Sequence, residues 1–133
     1  MLDELIGRHR IRLEPPDLCF VTNDGDISVE DATAIMSRIG DFAGGKRRVF
    51  LLFDGTRSGN MAPEARKAVV DTVGKLPIGG IAIFGATFTN RVVATLILKA
   101  IGIIYPAAPA ANFFLSEAEA RAWLSERRSS AEA

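Results

Sequence analysis

Five apolar residues in succession, Val49-Phe50-Leu51-Leu52-Phe53, constrain this chain more than any other feature of it. A strand with one face in water alternates apolar and polar residues. An unbroken run fits a strand covered on both faces, as at the middle of an α/β sheet. The run stops at Asp54-Gly55, and the polar, glycine-bearing stretch Thr56-Arg57-Ser58-Gly59-Asn60 leads to a helix start near Pro63. In open α/β sheets the loop beyond the carboxyl end of a central strand is where ligands and partners are met. Asp54, Arg57 and Asn60 are therefore the first candidates for recognition.

The remaining elements alternate around this strand. Residues 1–8 form a lead-in, either a helical turn or a loose segment. His9 to Leu13 has strand period, with Ile11 and Leu13 opposite Arg10 and Arg12. Pro15-Pro16 marks a turn, and Leu18-Cys19-Phe20-Val21 completes a hairpin. Asn23-Asp24-Gly25-Asp26 reads as a solvated turn. Ser28 caps a helix whose apolar stripe is Ala32, Ile35, Met36, Ile39 and Phe42. Pro63 opens a second helix, with Ala62, Ala65, Val69, Val73 and Leu76 inward. Ile81-Ala82-Ile83-Phe84 is a short apolar strand, and Thr89 or Asn90 caps a third helix. Pro106 and Pro109 mark a loop before the strand Asn112-Phe113-Phe114-Leu115. Ser116 and Glu119 make the capping box of a last helix carrying Ala120, Trp123 and Leu124 inward. Residues 128–133 read as a frayed tail.

This order predicts one α/β domain over residues 1–133, with its core at about 10–127. It has a mostly parallel central sheet of about five strands, an N-terminal antiparallel hairpin and about four helices. At 133 residues and 48% apolar content the chain is long enough to bury a core.

Element order, the segment 49–59, the apolar strand leading into the third helix, and the ending 112–124 together resemble the STAS family, the fold of the anti-sigma-factor antagonists. The similarity is greater to the small bacterial proteins known as SpoIIAA-like or STAS/SEC14-like. It implies a non-enzymatic regulatory or protein-interaction domain. Its SEC14 side implies, alternatively, a carrier or sensor of a small apolar or amphipathic ligand. In classical members a serine at the start of the helix after the central strand is phosphorylated. By that likeness Ser58 is the nearest acceptor here and Thr56 the second. The usual Asp-Ser-Ser-Gly pattern is replaced by Asp54-Gly55-Thr56-Arg57-Ser58-Gly59. A phosphate near a helix N-terminus would meet exposed N–H groups.

Composition and motifs narrow the chemistry. Lys plus Arg and Asp plus Glu are equal, 16 and 16, so the chain lacks the basic excess that drives nucleic-acid binding or holds a protein on anionic lipid. The single cysteine rules out an internal disulfide and suits a reducing cytoplasm. No run reaches the ~20 apolar residues that span a bilayer. Phe53-Asp54-Gly55-Thr56 is similar to the opening motif of haloacid dehalogenase-like phosphatases, but Leu52 stands where their nucleophilic Asp belongs. Gly55 and Gly59 are followed by no Gly-Lys-Ser/Thr, so this is no Walker loop. Asp54 reads as a cap on the next turn, His9 as a surface residue, and Cys19 as an inert core thiol. Asp24 and Asp26 lack the spaced glutamate of an EF-hand. No metal, cofactor or catalytic set is expected.

The third helix is the unusual element. Its polar residues are mainly Arg91, Thr95 and Lys99, and Ile101, Ile103, Ile104 and Tyr105 follow. Two readings stay open. The helix is wedged beneath neighbours and the apolar loop 107–111, or Val92, Leu96, Ile97, Ile101, Ile104 and Tyr105 form a partner or pocket surface. On the second reading a homodimer or another protein covers it, with Arg57, Arg91 and Lys99 at the rim. On the carrier reading, Val92, Leu96, Ile97 and Phe113 line a cavity between helix and sheet.

Overall fold

The apolar run lies at the heart of a six-stranded sheet of order β1-β2-β3-β4-β5-β6. The computed structural model describes residues 2–105 and 107–132, with side chains through residue 130. Met1, Pro106 and Ala133, which fall in the lead-in, loop and tail anticipated above, lie outside them. The strands are β1 (Leu2–Ile6), β2 (His9–Glu14), β3 (Leu18–Ile27), β4 (Val49–Met61), β5 (Ile78–Phe84) and β6 (Ala111–Phe114). The helices are α1 (Val29–Ala43), α2 (Pro63–Val73), α3 (Phe88–Ile104) and α4 (Glu117–Glu132).

β1, β2 and β3 pair antiparallel, and β3 to β6 pair parallel in chain order. Right-handed crossovers between successive neighbours place their connecting helices on one face of a sheet. Accordingly, α1, α2 and α3 share a face and α4 covers the other. β4 divides its apolar run between the two layers. Val49 and Leu51 join Ile35, Ile39, Val73 and Ile101 on the three-helix side. Phe50 and Leu52 join Phe20, Phe84, Ala120 and Leu124 beneath α4. All four are buried, as a strand covered on both faces requires.

Local signals place the helices. Ser28 Oγ accepts from Asp31 N–H at 3.1 Å, and Ala32, Ile35, Met36 and Ile39 are buried. Ser116 Oγ accepts from Glu119 N–H and donates to Glu119 Oε1, each at 3.2 Å, so both residues of the expected cap are engaged. The α3 cap is Thr87, two residues before Thr89 and three before Asn90, the caps expected from the sequence, its Oγ1 accepting from Asn90 N–H.

Several expectations are corrected. Residues 2–6 form a sixth strand, because Leu2 to Ile6 pair with Leu13 to His9 across a turn at Gly7. The helix expected to fray near residue 128 continues to Glu132. Arg127 Nε donates to Gly79 O at 2.8 Å, and Arg128 is paired with Asp17 at 2.6 Å, so α4 is anchored beyond its apolar stripe. Asn23-Asp24-Gly25-Asp26 is strand, not turn, and β4 likewise runs on through the expected loop to Met61.

Ion pairs tie α4 to the hairpin. Arg121 Nη1 and Nη2 donate to the two carboxylate oxygens of Glu14 at 3.2 and 2.9 Å. Those hydrogen bonds hold the Glu14 carboxyl below its ordinary value, with burial opposing them. A carboxyl whose folded pKa is lowered stabilises the fold above its unfolded value of 4.5, and that contribution is lost as pH falls through the folded value. Glu14→Gln is expected to cost about 1 kcal/mol at neutral pH. It also flattens the acid limb of a stability-against-pH curve measured by urea unfolding. Equal acid limbs in the two proteins would contradict the pairing.

Candidate functional site

The carboxyl ends of β3 and β4 do not separate into loops. They remain paired in parallel, Asp24 opposite Arg57, Gly25 opposite Ser58 and Ile27 opposite Met61, with irregularities between Thr22 and Asp24 and between Gly25 and Ile27. Polar side chains hold this extension. Asp54 Oδ1 accepts from Thr56 N–H at 2.9 Å, the self-capping role anticipated for it. Asp26 Oδ1 accepts from Asn60 N–H at 2.9 Å. Arg57 and Arg8 both approach the Asp24 carboxylate, at 3.6 and 3.1 Å. Of the three recognition candidates, Arg57 is open to solvent, while Asp54 and the Asn60 backbone are engaged in this structure.

At Gly59 the backbone of β4 lies hard against β3. A Cβ there would overlap the Asp26 carboxylate and stand 2.8 Å from Asp26 N and Gly25 C. Backbone atoms cannot swing aside as side chains can, so Gly59→Ala is expected to destabilise by about 1–3 kcal/mol. Gly102→Ala, inside α3 and with a Cβ that would meet only Ala108 at 4.0 Å, is the control, expected to stabilise by about 0.5–1 kcal/mol. Thermal unfolding of the pair checks this, and equal melting temperatures would refute the close approach.

Behind this extension lies a cavity of about 140 Å³ between the sheet and the three helices, partly open to solvent. α3 roofs it with Asn90, Val93, Ala94, Ile97, Leu98 and Ile101, a spacing that keeps one helix face over the void. Ile35 and Met36 of α1, Val69 and Val73 of α2, and Ile81 and Ile83 of β5 supply further walls. Among the described residues the polar ones in the lining are Asn23, Ser58 and Asn90, and none is charged. Asn90 Nδ2 donates to Ser58 O at 2.9 Å, which fastens the first turn of α3 to β4. Asn23 and Ser58 lie on the carboxyl-end extensions of β3 and β4, and Asn90 in the first turn of α3. The half-buried polar residues therefore share the end of the cavity beyond the apolar strand segments, whereas Ile35, Met36, Val73 and Ile101 are buried.

The apolar residues singled out on the third helix are divided by this geometry. Ile97 and Ile101 face the cavity, and half-buried Tyr105 packs its ring on Gly74. Val92, Leu96 and Ile104 face outward, and Phe113 is not in the lining. The carrier cavity drawn with Val92, Leu96 and Phe113 is thus corrected, for only Ile97 of that set lines it. The outer face of α3 also carries Phe88, 74% exposed, and Ile103, 86% exposed. The helix is therefore both a roof over a void and an exposed apolar surface. The loop residues Ala107 and Ala108 are exposed and do not bury it.

Of the remaining candidates, Ser58 borders the cavity, and Thr56, Cys19 and His9 lie outside its lining. Ser58 is in β4, well before the α2 start at Pro63, and lies beside the first turn of α3. Thr56 is exposed, its hydroxyl near Gly85. Cys19 is fully buried, and burial pushes its thiol up to about 12, so it is an inert core thiol. His9 is not a surface residue: it is 1% exposed, its Nδ1 accepting from Asp24 N–H at 3.0 Å and its Nε2 lying 3.4 Å from Asp31 Oδ2. Among the described residues no three His, Cys, Asp or Glu side chains gather as a metal-binding set, and no helix is long and apolar enough to cross a membrane.

Together these features define an α/β module of SpoIIAA-like architecture with an apolar cavity beneath one helix. The chain is similar to the crystal structure of an uncharacterized protein from the DUF3478 family with a SpoIIAA-like fold, from Shewanella loihica PV-4, at a TM-score of 0.63. The two are 17% identical, over 86% of this chain and 90% of the other, a level at which the likeness speaks for fold alone. No family model and no curated protein matches the sequence.

Proposed function

We propose that this chain is a non-catalytic binding module that holds a small, largely apolar molecule in the cavity beneath α3. The observation that carries the reading is the void itself. Interiors are close-packed, and an apolar space of this size forfeits contacts along its whole wall unless something fills it. The polar trio at one end and apolar walls elsewhere are the usual make-up of a ligand pocket. Binding without turnover fits the lining, since among the described residues no titratable side chain lines the cavity with Ser58, and Cys19 and His9 lie outside it.

The test is protein purified without detergent, denatured and extracted, with mass spectrometry of the extract. A single organic species near one per chain is expected from the wild type and not from Ala94→Trp, whose indole would occupy the void. If the extract is empty and xenon leaves the methyl resonances of Ile97 and Ile101 unshifted, the reading fails.

The outer face of α3 favours a second reading, protein interaction. Phe88, Val92, Leu96 and Ile103 fall within a sector of ~80° at 100° per residue. The charges of this helix are Arg91 and Lys99, with no acidic residue on it. Like charges would oppose each other if two copies met through this helix, so the partner that fits is an acidic-rimmed protein surface. A photo-crosslinker at position 96 is expected to give one defined adduct that Lys99→Glu abolishes. An adduct of unchanged yield in that variant would exclude an acidic partner.

A further inference from the structure

Resting on the cavity reading, we infer that the ligand is a compact, uncharged molecule with an apolar body and a single hydrogen-bonding group, of the phenol or aryl-alcohol kind, and not a fatty acid or a lipid. Size is the first ground. A volume of about 140 Å³ is close to that of an apolar protein cavity that takes up benzene, which leaves room for about six to nine non-hydrogen atoms. A long acyl chain exceeds it.

Charge is the second. An anionic head at the polar end would meet the neutral side chains of Asn23, Ser58 and Asn90. The nearby cations are outside the lining: Arg57 and Arg8 are turned to Asp24 at 3.6 and 3.1 Å, and Arg91, which follows Asn90 on α3, is exposed. A carboxylate drawn inside, past this mouth, would lose water without a counter-charge in the lining, which disfavours it.

Hydrogen-bonding capacity is the third. Among the described residues the Asn23 amide, the Ser58 hydroxyl and Asn90 Oδ1 have no protein partner, although Asn90 Nδ2 and Ser58 O bond each other. They offer both donors and acceptors to one hydroxyl or amide, grouped at one end of an otherwise apolar space. A molecule with two polar ends would leave one of them against Ile, Val and Met side chains.

Methyl-resolved NMR titration of the full chain tests this, with benzyl alcohol, toluene, benzoate and dodecanoate as probes. Benzyl alcohol is expected to shift the methyls of Ile81, Ile97 and Ile101 saturably, with benzoate at least about tenfold weaker and dodecanoate inert. Asn23→Leu should weaken benzyl alcohol while leaving toluene unchanged, a split that general unfolding cannot produce. Dodecanoate binding at these methyls, or benzoate binding as tightly as the alcohol, would overturn the compact neutral class and leave the cavity reading intact. No shift from any probe, together with an empty extract, would overturn both. The wild-type comparison decides the matter even if the Asn23 variant does not fold.

Discussion

Phe50→Ala is expected to lower the free energy of unfolding by about 3–5 kcal/mol. Phe50 is 1% exposed on the central strand, facing α4 among Leu18, Phe20, Leu52 and Leu124. Its ring lies against Gly79 so closely that a Cβ there would come within 2.6 Å of the ring edge. The Arg128 guanidinium sits 5.4 Å from the ring centroid while its nitrogens hold Asp17. Truncation therefore opens a hole between sheet and helix and removes the platform on which Arg128 is arranged. Urea unfolding should show a lower midpoint at unchanged slope, since the surface exposed on unfolding hardly alters. Phe50→Leu, which refills part of the hole, is expected to lose about 1–2 kcal/mol. An alanine variant within about 1 kcal/mol of the wild type would mean that α4 collapses freely onto β4, contrary to the packing seen.

This centre was legible from the sequence because both layers press on one short run. Residues 49–53 need no distant information to be read as doubly covered. The α1 stripe was legible for a similar reason, its polar and apolar sides being distinct. Elsewhere the determining contacts are remote. In β1 an acidic pair, Asp3-Glu4, interrupts the apolar residues, and only the pairing of Leu2 with Leu13 makes it a strand. Edge strands often carry such charges, which discourage further pairing, and locally they read as loop. The polar, glycine-bearing segment 54–60 likewise has the composition of a turn. It is extended because the equally polar segment 23–27 lies beside it and their backbones satisfy each other.

The candidate site was only half legible. α3 is apolar on nearly every side, so its periodicity has no phase from which to tell Ile97, inward, from Leu96, outward. The cavity has no local signature at all. Three strands and three helices each leave a wall, and the void is the mismatch among them. The one hint was spacing: residues 90, 93, 94, 97, 98 and 101 lie on one helix face, headed by the single polar residue Asn90. His9 was misread for the same reason as β1, its neighbours in the fold being Asp24 and Asp31, far along the chain.

That buried imidazole supplies the second large expected effect. His9→Ala should destabilise the protein by roughly 3–5 kcal/mol, by combining a side-chain-sized hole with an orphaned backbone donor. His9 Nδ1 accepts the Asp24 N–H at 3.0 Å, so the ring proton is on Nε2, facing Asp31 Oδ2 at 3.4 Å. Asp24 sits next to the irregularity that β3 makes after Thr22, where strand pairing alone does not define the backbone. The ring therefore does for that amide what a ladder partner does elsewhere, and it links β2, β3 and the first turn of α1. His9→Asn separates the two contributions, because asparagine can place an acceptor oxygen near the position of Nδ1 while filling less space. The asparagine variant should retain hydrogen-exchange protection at the Asp24 amide and lose only the packing share of the stability. The alanine variant should lose both. Protection at Asp24 that survives in His9→Ala would show that the imidazole merely fills space, and the hydrogen-bonding role assigned to it would fall.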